Sequence, residues 1–159
     1  MSQPLPEPGE SATKVLFATS EVYPLVKTGG LADGSASLPE ALNTLGFDVQ
    51  ILLPGYPVAL DRMRQTGLTR LAELEVSGYP VTLWQGRMPD SRVRVWLVAC
   101  DVLFSRPGGP YQDSTGQDWS DNARRFHLFS EVARQIAMGR AGLTWKPDLV
   151  HCNDWQTGL

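Results

Sequence analysis

Three polar segments of this 159-residue chain hold the side chains best suited to chemistry on a bound ligand. The first is Lys27-Thr-Gly-Gly-Leu-Ala-Asp33. Glycines let a backbone approach a ligand closely, and amides at a helix start can point at a phosphate. Lys27 adds a point charge in the same place. Spacing alone leaves a second reading open, an ordinary strand-to-helix turn with a surface lysine. Glycines at 29, 30 and 34 do not make G-x-G-x-x-G, and a lysine that precedes them does not make a P-loop. The second segment is His151-Cys-Asn-Asp-Trp155. Its imidazole and the Asp154 carboxylate suit a hydroxylated ligand, but by residue type they equally suit a structural histidine and a helix-capping aspartate. One His and one Asp are too few for a metal site, so no metal is expected. The third is the stretch 104–120, dense in Gly, Pro and polar groups, with Tyr111 and Trp119. A loop of that length in a compact domain is more often functional than idle. Tyr111, Trp119 and Trp155 are suited to stacking on sugar rings, although packing within the protein is the commoner fate of each.

The elements that must position these segments follow from periodicity. Lys14-Val-Leu-Phe-Ala-Thr19 is apolar on both faces, as a central parallel strand would be. Leu31, Leu38, Leu42 and Leu45 recur at helical spacing. Pro39 interrupts them, so either the helix kinks or its regular part starts at Ser37, where Ser37-Leu-Pro-Glu40 reads as a capping box. Gly46 is the expected C-cap, and Asp48–Pro54 the next strand. Strand, loop, helix, strand is a βαβ unit with a right-handed crossover. Leu68–Val76 and Val81–Trp84 read as a half-exposed pair leading into a core strand, Arg92–Val98. Ala123, Phe126, Phe129, Val132, Ala133, Ile136 and Ala137 mark an amphipathic helix that Ser120 or Asp121 would cap and Gly139 or Gly142 would end. Pro147–His151 is a last short strand, after which the pattern requires another helix where the chain stops at Leu159. The fold class is α/β, a doubly wound, mostly parallel, Rossmann-like sheet. In such sheets ligands bind outside the carboxyl ends of the strands, where all three polar segments fall.

Composition narrows the partners. Hydrophobic residues make up 42% of the chain, enough for a real core, and the net charge is −3, which argues against nucleic acid or an anionic membrane surface. No stretch reaches the roughly 18–20 apolar residues of a membrane span, and the N-terminus lacks the basic and apolar regions of a signal peptide. Residues 1–13, rich in Pro, Glu and Ser, read as a disordered tail. Cys100 and Cys152 lie far apart without metal-ligand spacing and read as free, at least half-buried thiols of a cytoplasmic protein.

Together these residues resemble bacterial glycogen synthases and plant starch synthases. The resemblance rests on Lys14–Asp33 with its Lys-Thr-Gly-Gly-Leu core and on Leu38-Pro-Glu-Ala-Leu42, Leu52-Leu-Pro-Gly-Tyr-Pro57 and Arg106-Pro-Gly-Gly-Pro-Tyr111. It continues, in order, through Asp121-Asn-Ala-Arg-Arg-Phe126 and Pro147-Asp-Leu-Val-His-Cys-Asn-Asp-Trp-Gln156, and so covers residues 14–159. It implies a retaining glucosyltransferase built from two Rossmann-like domains. Such an enzyme moves glucose from ADP-glucose to the non-reducing end of an α-1,4-glucan, without a cofactor. Residues 14–159 would be part of its N-terminal domain, with the C-terminal donor-binding domain absent. By the same resemblance Lys27, Gly29 and Gly30 contact the donor phosphates, Asp33, Tyr111 and His151 bind substrate, and Asp154 is the catalytic carboxylate. The chain departs from the family at Asn153, where a second histidine is common, and at Gly34, where a bulky aliphatic is usual. A fragment of this kind is expected to be inactive alone and to self-associate through exposed surfaces. A non-catalytic module that binds glucan or nucleotide, or a transferase using another sugar nucleotide, fits the same motifs.

Overall fold

The apolar run after Thr13 becomes strand β1 (Lys14–Ala18) in a computed structural model that describes residues 7–159. Of the tail expected over 1–13, residues 1–6 lie outside the described residues. Within 7–13 the Ala12 amide donates to the Gly9 carbonyl at 2.9 Å, and the Thr13 carbonyl accepts from the Asp48 amide at 2.9 Å.

Helix α1 (Gly30–Thr44) resolves the Pro39 question: it is continuous from Gly30 through Pro39. Ser37 caps nothing; its hydroxyl donates to the Asp33 carbonyl one turn back at 2.7 Å. Pro39 is tolerated because its ring is buried, where apolar contact offsets the missing backbone donor. The helix ends as expected at Gly46, whose φ of +93° favours glycine. The Phe47 and Gly46 amides return to the Leu42 and Asn43 carbonyls, both at 3.0 Å, completing a Schellman motif. Strand β2 (Asp48–Pro54) is buried along its whole length.

Helix α2 (Pro57–Thr66) was not anticipated. Its apolar stripe is narrow: Ala59 and Met63, four apart, are its buried residues. Pro57 at its first position and Gly67 just beyond its end are the local signals for it. Strands β3 (Thr69–Val76) and β4 (Tyr79–Arg87) form the expected hairpin through Ser77-Gly78, both at positive φ. Strand β5 (Arg94–Ala99) is buried through its centre, and a single turn, α3 (Asp101–Phe104), opens the long loop. Helix α4 (Asn122–Ala137) buries Phe126, Phe129, Val132 and Ile136. Full burial of each such side chain stabilises the fold by about 1.5–3 kcal/mol. Strand β6 (Leu149–Cys152) and a 3-10 turn (Trp155–Thr157) follow.

The sheet order is β3-β4-β5-β2-β1-β6. Strands β5, β2, β1 and β6 are parallel, while β4 runs antiparallel to β5 and to β3. From β1 the chain winds toward β2 and β5, then crosses back to place β6 on the other side of β1. Right-handed crossovers in opposite directions put their connections on opposite faces, which makes the sheet doubly wound. The winding reverses between β1 and β6, and the crevice for a ligand lies beyond the carboxyl ends of these two strands. Strand β6 is an edge among the described residues, exposed at all its positions, with Leu149 and Val150 facing solvent.

Candidate functional site

Beyond the end of β1 the chain reads Thr19-Ser20-Glu21, and all three residues are buried. A buried carboxylate is costly unless donors surround it. Glu21 has them: its Oε1 accepts the Thr28 hydroxyl at 2.7 Å and the Thr28 backbone amide, and its Oε2 accepts the Tyr111 hydroxyl at 2.9 Å. The Tyr111 proton is thereby committed, so Ser20 donates in the 2.7 Å contact between their hydroxyls. Between Glu21 and Thr28 the loop is closed by paired backbone bonds of Val22 and Val26, at 3.1 and 3.0 Å.

This loop delivers Lys27 and the two glycines to the start of α1. Gly29 is the N-cap residue and Gly30 the first helical residue, so no side chain occupies the first amides of the helix. A Cβ at either glycine would meet nothing within 4 Å, which leaves the helix end open to a ligand. Lys27 stands beside it, its Nζ 2.8 and 2.7 Å from the two Asp33 carboxylate oxygens, with both side chains about half exposed. An uncapped helix N-terminus with an adjacent lysine has the donors and the field to hold an anion.

Tyr111 arrives from the long loop, which Arg125 anchors. This arginine, 1% exposed, donates to the Leu103 and Pro110 carbonyls at 2.7 and 2.8 Å and lies against the rings of Phe104 and Phe126. Gly108 turns the loop at φ +125°, where a Cβ would meet the Gln112 carbonyl oxygen at 2.7 Å. The sequence candidates for capping α4 serve differently: Asp121 is the N-cap residue, but its carboxylate holds Arg106 in a two-pronged pair at 2.7 and 2.6 Å. Burial pushes the Tyr111 phenol far above its usual range; the Ser20 hydrogen bond opposes that, and the Glu21 and Asp154 carboxylates add to it. Tyr111 therefore stays protonated and serves as a donor.

Asp154 lies beyond the end of β6, on the other side of the crevice. Its backbone holds φ 63° and ψ −179°, a region nearly confined to glycine, and its carboxylate accepts the Trp155 amide at 2.7 Å. Tyr111 and Trp155 share Phe126 as a neighbour, with ring centroids 5.8 and 5.4 Å away. The structure thus brings Lys27, Gly29, Gly30, Asp33, Tyr111 and Asp154 to one end of the sheet. His151 is placed differently. Its ring stacks on Phe17, its register partner on β1, at 4.8 Å, and its Nε2 lies 3.2 Å from Asn153 Oδ1. Alternation along β6 puts it on the sheet face it shares with Phe17. The thiols differ from expectation at one position: both are free, but Cys152 is exposed because it sits on the edge strand.

Sequence reasoning missed Glu21 and Arg125. An acidic residue just past a buried strand and an arginine inside the apolar stripe of α4 were the available signals. Among the described residues no group of three or more His, Cys, Asp or Glu is placed to hold a metal ion, and no helix is long and apolar enough to cross a membrane.

Comparison with known proteins supplies the family. The family model for the starch synthase catalytic domain matches residues 14–159. A glycogen synthase of Marinobacter nauticus is 60% identical over 148 residues, and one of Cellvibrio japonicus 54% identical over 145. These matches take in 92% and 91% of this chain, which spans about 30% of the length of either relative. The catalytic domain of starch synthase IV from Arabidopsis thaliana, solved bound to ADP and acarbose, superposes with a TM-score of 0.74 at 32% identity. That superposition covers 92% of this chain and 29% of the plant chain. With its family model matched from β1 to the last residue, the chain belongs to the starch synthase catalytic-domain family.

Proposed function

We propose that residues 14–159 are part of the N-terminal domain of a retaining glucosyltransferase. The enzyme transfers glucose from ADP-glucose to the non-reducing end of an α-1,4-glucan, as in glycogen synthesis. The observation that carries the reading is the open start of α1 at Gly29-Gly30, with Lys27 beside it, at the point where the sheet reverses its winding. When the glucosyl bond breaks, the departing nucleoside diphosphate gains charge. In this reading the Gly29 and Gly30 amides and the Lys27 ammonium stabilise that charge. Asp33, Tyr111 and Asp154 face the sugar side, with Tyr111 donating and Asp154 as the catalytic carboxylate; His151 borders the site from the β6 face. The free thiols Cys100 and Cys152 suit a reducing compartment, and a cytoplasmic location is part of the proposal.

The test is Lys27→Ala in a full-length synthase that carries this segment. A charge-assisted bond to phosphate contributes about 1.5–3 kcal/mol, so kcat/KM for ADP-glucose at saturating glucan is expected to fall roughly 10- to 150-fold. Unchanged kinetics would remove Lys27 from the site. The 159-residue chain alone is expected to incorporate no labelled glucose into glycogen, because transfer requires donor and acceptor held together in attack geometry. Robust incorporation by it would show that the catalytic groups are misplaced.

A further inference from the structure

Glu21 touches both walls of the site at once. One carboxylate oxygen holds Thr28, the residue between Lys27 and Gly29, by its backbone amide and its hydroxyl. The other oxygen holds Tyr111, 90 positions away on the long loop. Thr28 and Tyr111 make no hydrogen bond to each other among the described residues, so their connection runs through this buried carboxylate. We propose that Glu21 is a positioning residue that locks the Lys27–Gly30 turn and Tyr111 into one unit, so that the phosphate end and the sugar end of the site keep a fixed separation. What the unit binds rests on the glucosyltransferase reading; that its two ends are coupled rests on the hydrogen bonds alone.

The chemistry favours a carboxylate here. Both oxygens of Glu21 are met by donors, and the two residues that supply them are held by surroundings that limit retreat: the loop closed at Val22–Val26, and a tyrosine packed on Phe126. Glutamine can meet Thr28 with its oxygen, but it then turns an NH2 toward the Tyr111 hydroxyl. That hydroxyl must become an acceptor and pass its own proton to Ser20. The link survives in reversed polarity and weakened form. Alanine breaks it outright and strands the Thr28 amide.

The test is a double-mutant cycle in a full-length synthase carrying this segment, using Thr28→Val and Tyr111→Phe, which keep side-chain volume. Effects on kcat/KM for ADP-glucose are expected to be coupled by about fivefold or more, and the coupling to vanish when Glu21→Ala is added. Effects that multiply within about twofold, the behaviour of independent sites, would overturn the proposal. A second measurement needs no activity. In the 159-residue chain, Tyr111→Phe should speed hydrogen exchange at the Thr28 amide, which Glu21 holds, about tenfold, and should do so no longer in a Glu21→Ala background. Exchange indifferent to Tyr111→Phe would refute the coupling whatever the kinetics show. If exchange responds while Lys27→Ala leaves kinetics untouched, the coupling stands and the placing of the donor phosphates at the Lys27–Gly30 turn falls.

Discussion

Asp154 is where the fold and the proposed chemistry pull in different directions. A residue with a side chain held at φ 63° and ψ −179° stores about 1–3 kcal/mol of backbone strain. The carboxylate returns part of this by accepting the Trp155 amide at 2.7 Å, a cap whose loss to alanine costs about 0.5–2 kcal/mol. Asp154→Ala keeps the strain and loses the cap, so it is expected to destabilise the chain by about 1 kcal/mol. Asp154→Gly also loses the cap but relaxes the strain, against a backbone entropy cost of about 0.5–1 kcal/mol. The glycine variant should therefore be more stable than the alanine variant by roughly 1–2 kcal/mol, the reverse of the usual order. Urea unfolding of the two variants beside the parent, at pH 7, measures the difference directly. In a full-length synthase carrying this segment both variants should abolish transfer. An alanine variant as stable as the glycine variant would show that no strain is stored at Asp154. A glycine variant with full activity would show that its carboxylate has no catalytic role.

Three further outcomes are expected. Arg125→Met leaves the Leu103 and Pro110 carbonyls without their donor inside the loop, and should cost about 2–4 kcal/mol in urea unfolding; a loss under 1 kcal/mol would refute the anchoring role. Gly34→Ala should stabilise by about 0.5–1 kcal/mol, seen as a Tm rise of about 1–4 °C, since Gly34 lies inside α1 with open space where its Cβ would be. The Arg106 hydrogen bonds hold the Asp121 carboxyl below its usual range, so the stability they bring is present above the unfolded value of about 3.9 and is lost as pH falls through the lowered native one. Asp121→Asn should accordingly shrink the drop in unfolding free energy between pH 6 and pH 3, and an undiminished drop would assign it to other carboxylates.

The large elements were legible in the sequence because their patterns are strong. The run Lys14–Ala18 and the all-buried Asp48–Pro54 have no plausible solvent face, and α4 repeats its apolar stripe over four turns. Helix α2 escaped notice because it buries so little, with Ala59 and Met63 its only fully buried side chains. Such a helix leaves almost no periodic trace. The start of α1 was ambiguous for another reason: Ser37 and Glu40 satisfy the capping-box spacing, and local spacing cannot report that Gly30 already begins the helix. Lys27, Gly29 and Gly30 stood out through their types, and Tyr111 and Asp154 through their places after apolar strands. Glu21 did not, because its significance lies in a contact with a residue 90 positions away, which no local pattern encodes.

The pairing of Lys27 with Asp33 gives the phosphate end of the proposed site a definite resting state. With the ammonium held by both carboxylate oxygens, the turn carries little net charge, and the lysine is already aimed across the start of α1. A diphosphate arriving there must share Lys27 with Asp33 or take it over. The pair is half exposed, and such pairs contribute at most about 1 kcal/mol. A charge-assisted bond to phosphate contributes about 1.5–3 kcal/mol, so the exchange favours the ligand. Asp33 then holds Lys27 in place without blocking it, and once released its carboxylate is free for hydroxyl groups on the sugar side. The Gly29 and Gly30 amides need no release, since nothing caps them. On this account the helix end provides the standing attraction for the anion, and Lys27 adds its charge as the ligand displaces Asp33.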